Sequence, residues 1–323
     1  MRFDHHLLRR ILGFTPLILL VALLLASAAV DPRVVAPASL VNIAAQATPI
    51  AVLGIGTFIV LLTAGIDLSA GVGVALCAIL IAGGLDRGLP LPAALALGCT
   101  AMAAVGLANG LVIAVLRIPP FVTTLATMVA VQGATLAVAQ KGVLIVNDPV
   151  LKAVGFGRIA GLPAAIVLTA LVAALAYGLM RMTRFGLRSY ALGSDRGAAE
   201  LAGVPILRQT VLVYVASGVF TFLAAALMVS RVPVVTPNIG GTGLLLDAIA
   251  AAVLGGTSIF GGRGSVGGVV VGALIVSLLT NALRVFGVDP SSIDLFKGLI
   301  IMAALLGDAA LTAASLRLDR RLG

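Results

Sequence analysis

This chain has little of what soluble proteins are made from. Only 10% of its 323 residues are charged, against roughly a quarter in soluble domains. Trp is absent, and the single glutamate is Glu200. Two histidines and two cysteines complete the short inventory of reactive side chains. His5 and His6 stand at the N-terminus, so no apolar run carries an imidazole to act as base or metal ligand. Cys77 and Cys99 lie in apolar runs without paired metal spacing, which reads as small buried hydrophobes rather than a disulfide or zinc site. No Gly-x-x-x-x-Gly-Lys-[Ser/Thr] phosphate loop occurs, and no nucleophile–base pair suggests itself, so nothing supports catalysis by this chain. The formal charge of +9 comes without a basic run interleaved with aromatics, which argues against nucleic acid.

What is abundant is apolar surface. The chain is 61% hydrophobic with a mean hydropathy of +1.20. A membrane span takes about 20 predominantly apolar residues, so there is room for about ten spans and short loops, and none for a soluble catalytic domain. The expectation is an all-α polytopic membrane protein, one transmembrane domain over 1–323, with spans near 11–30, 41–63, 67–84, 91–116, 120–140, 162–182, 209–229, 243–260, 265–286 and 293–313. Glycine interrupts the eighth and ninth. Ala26-Ser27-Ala28 resembles a cleavage site, but Ile11–Val30 is longer than the ~7–15 residues of a signal-peptide core and reads as an uncleaved first span. With both termini cytoplasmic, thirteen Lys and Arg fall on the cytoplasmic side and eight on the other, in the sense of the positive-inside bias.

Three regions stand out. Gly255-Gly256-Thr257-Ser258-Ile259-Phe260-Gly261-Gly262-Arg263-Gly264-Ser265 lies between two apolar runs. Glycine costs about 1 kcal/mol per helical position relative to alanine, so the missing side chains imply a turn or a close approach. Gly65–Gly71 and Gly261–Gly267 look alike, as in an internal duplication. In the 183–208 loop, Asp195 can cap a short helix with body Arg196–Ala202, ended by Gly203. Such a helix either docks in a groove on a partner or is a solvated connector.

Two carboxylates, Asp67 and Asp247, lie near apolar runs, where a charge at the bilayer centre costs roughly 2.5–3.5 kcal/mol. Each has a translocation or gating reading; Asp67 equally reads as the cap of a following helix. Hydrogen-bonding residues inside or beside spans include Asn42, Gln46, Thr48, Asn109, Thr124, Gln132, Gln140 and Asn281, with Phe121 as an aromatic face. Gln46, Phe121, Thr124, Gln132 and Asn281 are the candidates for a translocation pathway. Each alone also fits an interhelical hydrogen bond worth about 0.6 kcal/mol.

Four blocks, in order, carry a family resemblance. They are Thr63-Ala64-Gly65-Ile66-Asp67-Leu68-Ser69-Ala70-Gly71, then Arg117–Leu125 with its Pro-x-Phe-Val-x-Thr-Leu, then Phe185-Gly186 through Tyr190-Ala191-x-Gly193 to Ala198-Ala199 and Gly203-Val204, and last Gly243–Gly268. Together they resemble the permease subunits of ribose-type monosaccharide ATP-binding-cassette importers over roughly 40–310. Ala64 and Ala70 depart slightly from the family pattern, and Leu245 stands where the pattern has glutamate. The resemblance implies ATPase-coupling roles for Gly186, Tyr190, Gly193, Ala198, Ala199, Gly203 and Val204, with Asp195 and Glu200 in the same capped helix. It implies structural or gating roles for Asp67, Ser69, Asp247, Gly255, Gly256, Gly261, Gly262 and Gly264.

It also implies partners: a second permease subunit, identical or paralogous; a cytoplasmic ATPase holding ATP and Mg; an extracytoplasmic solute-binding protein; and the lipid of a bacterial inner membrane. This chain itself would bind no cofactor. The expected function is import of a monosaccharide or similar small polar solute. Alternatives are a nucleoside, sugar alcohol or signalling molecule in the same family, an ion-coupled secondary carrier, which the scarcity of acids in the spans disfavours, and a non-transporting scaffold, which leaves the polar span residues unexplained.

Overall fold

A backbone surrounded by hydrocarbon must satisfy its polar groups internally, and this chain does so almost wholly with helices. The computed structural model describes residues 15–139, 142–299 and 301–303. Its helices are α1 (Thr15–Val30), α2 (Pro37–Leu62), α3 (Ser69–Asp86), α4 (Leu91–Val115), α5 (Pro120–Val138), α6 (Pro149–Phe156), α7 (Ala164–Met182), α8 (Arg184–Ser194), α9 (Arg196–Leu201), α10 (Ile206–Arg231), α11 (Gly241–Leu254) and α12 (Val266–Val285). Residues 293–299 and 301–303 are also helical and form a final helical segment. Proline in the first turn of α2, α4, α5 and α6 starts these helices where its missing N–H is not needed.

Seven helices, α2, α3, α4, α5, α7, α10 and α12, are long and apolar enough to cross a membrane, and α1 and α11 are shorter apolar helices. The outermost expected spans run partly outside the described residues, at 11–14 and 304–313. The 243–260 interval differs from expectation. The 14 residues of α11 cover only about 21 Å at 1.5 Å per residue, short of the roughly 30 Å hydrocarbon core. A Schellman turn stops it: the Gly256 N–H donates to the Val253 carbonyl and the Thr257 N–H to the Ala252 carbonyl, with Gly256 at φ +85°.

The stretch before α11 is extended. Strand β4 (Val234–Val235) pairs antiparallel with β1 (Leu144–Ile145), and the chain then runs inward along α3 until Gly240 meets Val74 and Gly241 meets Gly71. A small hairpin, β2 (Arg158–Ile159) with β3 (Leu162–Pro163), lies between α6 and α7.

The core is built around α2. Its 18-residue central window is 94% buried, against 22% for α4, α5 and α7, which therefore form the apolar outer wall. Phe58, Leu53, Ile55 and Ile59 of α2 are fully buried, packed against α10, α11 and α12. Glycine permits the closest approaches: Gly106 of α4 rests on the Tyr214 carbonyl and Gly218 of α10 on the Met102 carbonyl.

The connectors gather at two opposite faces. One holds 63–68, α8–α9 and 255–265, tied by the Gly262 N–H donating to the Leu62 carbonyl at 2.9 Å. The other holds the two strand pairs, β1–β4 and β2–β3. The look-alike segments both turn at the first face, so α2–α3 and α11–α12 run in the same sense; α11 packs on α12 as a hairpin, whereas α2 and α3 are not packed on each other.

Candidate functional site

The α8–α9 segment is a folded platform. Asp195 Oδ1 accepts the Ala198 N–H at 3.0 Å and so caps α9. Gly203, at φ +78°, closes it, with the Val204 N–H donating to the Ala199 carbonyl at 3.0 Å. Sequence reasoning placed this helix but missed α8 before it. Gly186 packs α8 tightly against the Met180 backbone, and the Gln209 amide of α10 donates to the Phe185 carbonyl at 2.9 Å and to Ser189 Oγ at 2.8 Å. Ala199 is buried, whereas Glu200 is exposed, Leu187 is 71% exposed and Leu201 92%.

The inward side of the platform meets both connectors. Tyr190 donates its hydroxyl to the Gly264 carbonyl at 2.9 Å. Burial pushes its phenol above the usual range, so it stays a donor. Gly193 lies against the Leu62 carbonyl and the Gly262 amide, where any side chain would collide with backbone. Gly261 and Gly262 have φ of +90° and +72°, and Gly264 sits beside the Phe58 ring and Thr257. Gly255 packs on the Gly268 backbone.

Behind the first connector is a buried polar cluster. Asp67 Oδ1 accepts the Ser69 N–H at 3.1 Å and the Ser69 hydroxyl at 2.6 Å, and Oδ2 accepts the Ser217 hydroxyl of α10 at 2.8 Å. Asn109 of α4 donates to Ser69 Oγ at 3.0 Å, and Thr127 of α5 donates to Asn109 Oδ1 at 2.6 Å. Thr124 donates to the Ile66 carbonyl at 3.2 Å. Asp67 thus serves the first turn of α3 and also ties it to α10, while no cation pairs with it among the described residues. Ser217 and Thr127 were not singled out from sequence; hydroxyls in apolar runs give no signal until the helices are placed.

A cavity of about 340 Å³ lies farther from the platform, between Val72 and Ala75 of α3, Gln132 and Thr135 of α5, and Pro237–Gly243. Gln132 is twelve residues, about 18 Å, from the start of α5. Gln132, Asn238 and Thr242 are exposed, and no charged residue lines the space. The first turn of α11 opens on it, bringing backbone N–H groups that have no helical partner.

The remaining candidates lie apart from this cavity. Thr124 belongs to the Asp67 cluster. Asn281 of α12 donates to Ser39 Oγ of α2 at 2.9 Å. Gln46 is half-buried on α2, and Phe121 is 52% exposed at the start of α5. Leu245 is buried, with its Cβ against Gly71. Asp247 pairs with Lys297 Nζ at 2.7 Å, and Asp294 lies 2.9 Å from the same ammonium. Lys297 entered the sequence reading only as a charge for orientation; a lysine inside the 293–313 apolar run was the available signal.

Residues 39–305 match the family described as branched-chain amino acid transport system / permease component. The ribose import permease protein RbsC of Bacillus subtilis is 34% identical over 299 residues, covering 92% of this chain and 91% of that protein. RbsC of Escherichia coli K12 is 34% identical over 300 residues, covering 90% and 92%. The galactofuranose transporter permease protein YtfT of Escherichia coli is 34% identical over 268 residues, covering 82% and 78%. No solved structure matches. With its apolar helices and a match over most of its length, the chain is a multi-pass integral membrane protein and belongs to this permease family, beside the ribose-type permeases of ATP-binding-cassette importers.

Proposed function

We propose that this chain is the pathway-forming subunit of an ATP-driven importer for a monosaccharide or similar small polar solute, in a bacterial inner membrane. The platform face and both termini are cytoplasmic in this reading, and the chain crosses ten times, the eighth crossing being made by the extended 232–240 stretch together with the short α11. A separate ATPase, which holds ATP and Mg, docks on the exposed side of α8–α9, where Leu187, Glu200 and Leu201 point outward. A second permease subunit completes the pathway, and a solute-binding protein delivers solute at the strand face. This chain hydrolyses no ATP and binds no cofactor.

The observation that carries the reading is the seating of α8–α9. Its outer side is free, and its inner side rests through Tyr190 and Gly193 on the two connectors that lead into α3 and α12. Motion of a docked partner therefore has a direct mechanical route into the spans. The pathway follows Gln132 and the uncharged cavity beside it, which suits a neutral polyhydroxylated solute. The relatives named for ribose and galactofuranose support the solute class. An ion-coupled carrier needs a carboxylate with open coordination, and Asp67 is already engaged by Ser69 and Ser217.

Co-purification with the candidate ATPase tests the reading. Wild type is expected to bring down the ATPase, while Glu200→Arg and Gly203→Trp, folded by size-exclusion profile, lose it or uncouple its hydrolysis. A wild-type permease that binds no ATPase, or two variants that behave as wild type, would overturn the docking assignment. Solute uptake without any ATPase would favour the ion-coupled carrier.

A further inference from the structure

Helix α11 reaches two places that matter. Its C-terminal end leads into the connector whose Gly264 carbonyl takes the Tyr190 hydroxyl, and its first residues, Gly241–Gly243, line the cavity. Between the two ends stands Asp247, paired with Lys297 of the final helical segment. The side chains of Lys297 and Asp247 are 11% and 17% exposed, whereas Asp294, the second carboxylate on the ammonium, is 82% exposed.

Charges are a poor way to glue two apolar helices together. Taking both ions out of water offsets most of their attraction, and apolar side chains of similar size hold at least as well. Ionised groups in a span are therefore expected to serve function. What an ion pair offers, and an apolar contact does not, is a response to water: the attraction is large while the pair is dry and small once solvent enters. Here the pair sits on a helix too short to span the membrane, bounded by glycines at both ends. Gly240 precedes it and Gly241 opens it, at φ +79° and +60°, and Gly256 follows it at φ +85°.

We propose that α11 is the element that carries motion from the coupling platform to the solute cavity, and that Asp247–Lys297 is its latch. With the pair closed, the first turn of α11 is held against the cavity. When platform motion shifts the 255–265 connector, α11 pivots, water reaches the pair, and the cavity changes its access. Asp294 stays near the ammonium as its alternative partner, so the lysine is never left unpaired. Asp247 and Lys297 are positioning residues; neither lines the cavity. The inference rests on the transport reading above.

The test uses the full permease in complex with its ATPase, reconstituted in proteoliposomes, with Cys77 and Cys99 replaced by alanine and Thr242→Cys introduced as a reporter at the cavity. Two quantities are read: the rate of labelling by a charged thiol reagent with and without ATP, and ATP hydrolysed per solute taken up. With the pair intact, labelling is expected to change about tenfold between nucleotide states, the size of an ordinary coupling between sites. Lys297→Met alone leaves Asp247 buried without its partner and is expected to lower the yield of folded protein. The apolar replacement Asp247→Leu with Lys297→Met restores that yield. In it, labelling is expected to become insensitive to ATP, and hydrolysis per solute to rise about tenfold.

If the double replacement keeps the wild-type labelling change and stoichiometry, the pair is a structural tie and the latch is wrong. If labelling ignores ATP in the unsubstituted complex while uptake proceeds, α11 is not the moving element. If labelling follows ATP but no sugar is taken up, the latch stands and the transport reading fails.

Discussion

The two helix–connector–helix segments that turn under the platform, α2–α3 and α11–α12, share a cap and differ in almost everything else. Both α2 and α11 end in a Schellman turn. In the first, the Ala64 N–H donates to the Leu61 carbonyl at 2.9 Å and the Gly65 N–H to the Val60 carbonyl at 3.1 Å; in the second, Gly256 and Thr257 take the same positions. Yet α2 is 26 residues long and buried nearly all round, and α11 has 14 residues and an exposed side carrying Leu246. Their carboxylates differ as well. Asp67 is held by neutral hydroxyls and a backbone N–H, from its own strand of chain and from α10, whereas Asp247 is held by a lysine on the final helical segment. A carboxylate satisfied by fixed dipoles is locked in place. One satisfied by a long flexible ammonium has somewhere to go. In the proposed mechanism the first segment is frame and α11 is lever.

Replacing each carboxylate by an apolar residue separates these roles most strongly. Asp67→Leu orphans the Ser217 and Ser69 hydroxyls and strips the Ser69 N–H. Each unsatisfied buried group costs about 1–3 kcal/mol, so with three groups affected thermal unfolding in detergent is expected to show a loss of at least about 3 kcal/mol. Asp247→Leu with Lys297→Met is expected to stay within about 1 kcal/mol of wild type in the same assay. Equal losses at the two sites would erase the distinction between frame and lever.

Tyr190→Phe, on the inward side of the platform, acts on its link to the lever and leaves the outward side of α8–α9 unchanged. It keeps the ring and deletes the hydrogen bond to Gly264, a net contribution of about 1 kcal/mol. ATPase recovery is expected to be unchanged. Initial uptake is expected to fall about fivefold, the rate equivalent of that loss. A fall in recovery with coupling intact would place the tyrosine in docking rather than transmission.

How much of this was legible beforehand depended on whether the signal was local. Asp195 and Gly203 bracket α9 by cap chemistry, and that helix is where the pattern predicted it. The long apolar runs became helices with ends within a few residues of expectation, because composition and proline placement act locally. Helix α11 starts within two residues of the expected 243 but ends at Leu254 rather than at 260: the glycines at 255–256 signalled a break, and only the Schellman turn shows that the helix stops there. The cavity and the Asp67 cluster were hidden. Gln132, Asn238, Ser217 and Thr127 are scattered over two helices and a connector, and an amide or hydroxyl in an apolar run looks the same whether it faces a cavity, a neighbouring helix or lipid. Asp67 was open to two readings, and the geometry joins the capping role to an interhelical one.

The smallest expected effect probes the shared cap itself. Ala64 is at φ +56° and Gly256 at φ +85°, the same left-handed position of the same motif. Only glycine occupies that region without its Cβ crowding the carbonyl, and an L-residue there is strained by about 1–2 kcal/mol. The sequence difference at this turn is therefore an energetic one. Ala64→Gly is expected to stabilise the permease by about 0.5–1 kcal/mol, part of the relief being offset by the greater freedom of glycine in the unfolded chain. Gly256→Ala is expected to destabilise by about 1 kcal/mol and to shift the end of α11. Paired melting curves read both signs at once. If the two substitutions move stability in the same direction, the caps are not equivalent, and the strain at Ala64 is held by its contact with Gly261 beneath the platform rather than by the turn alone.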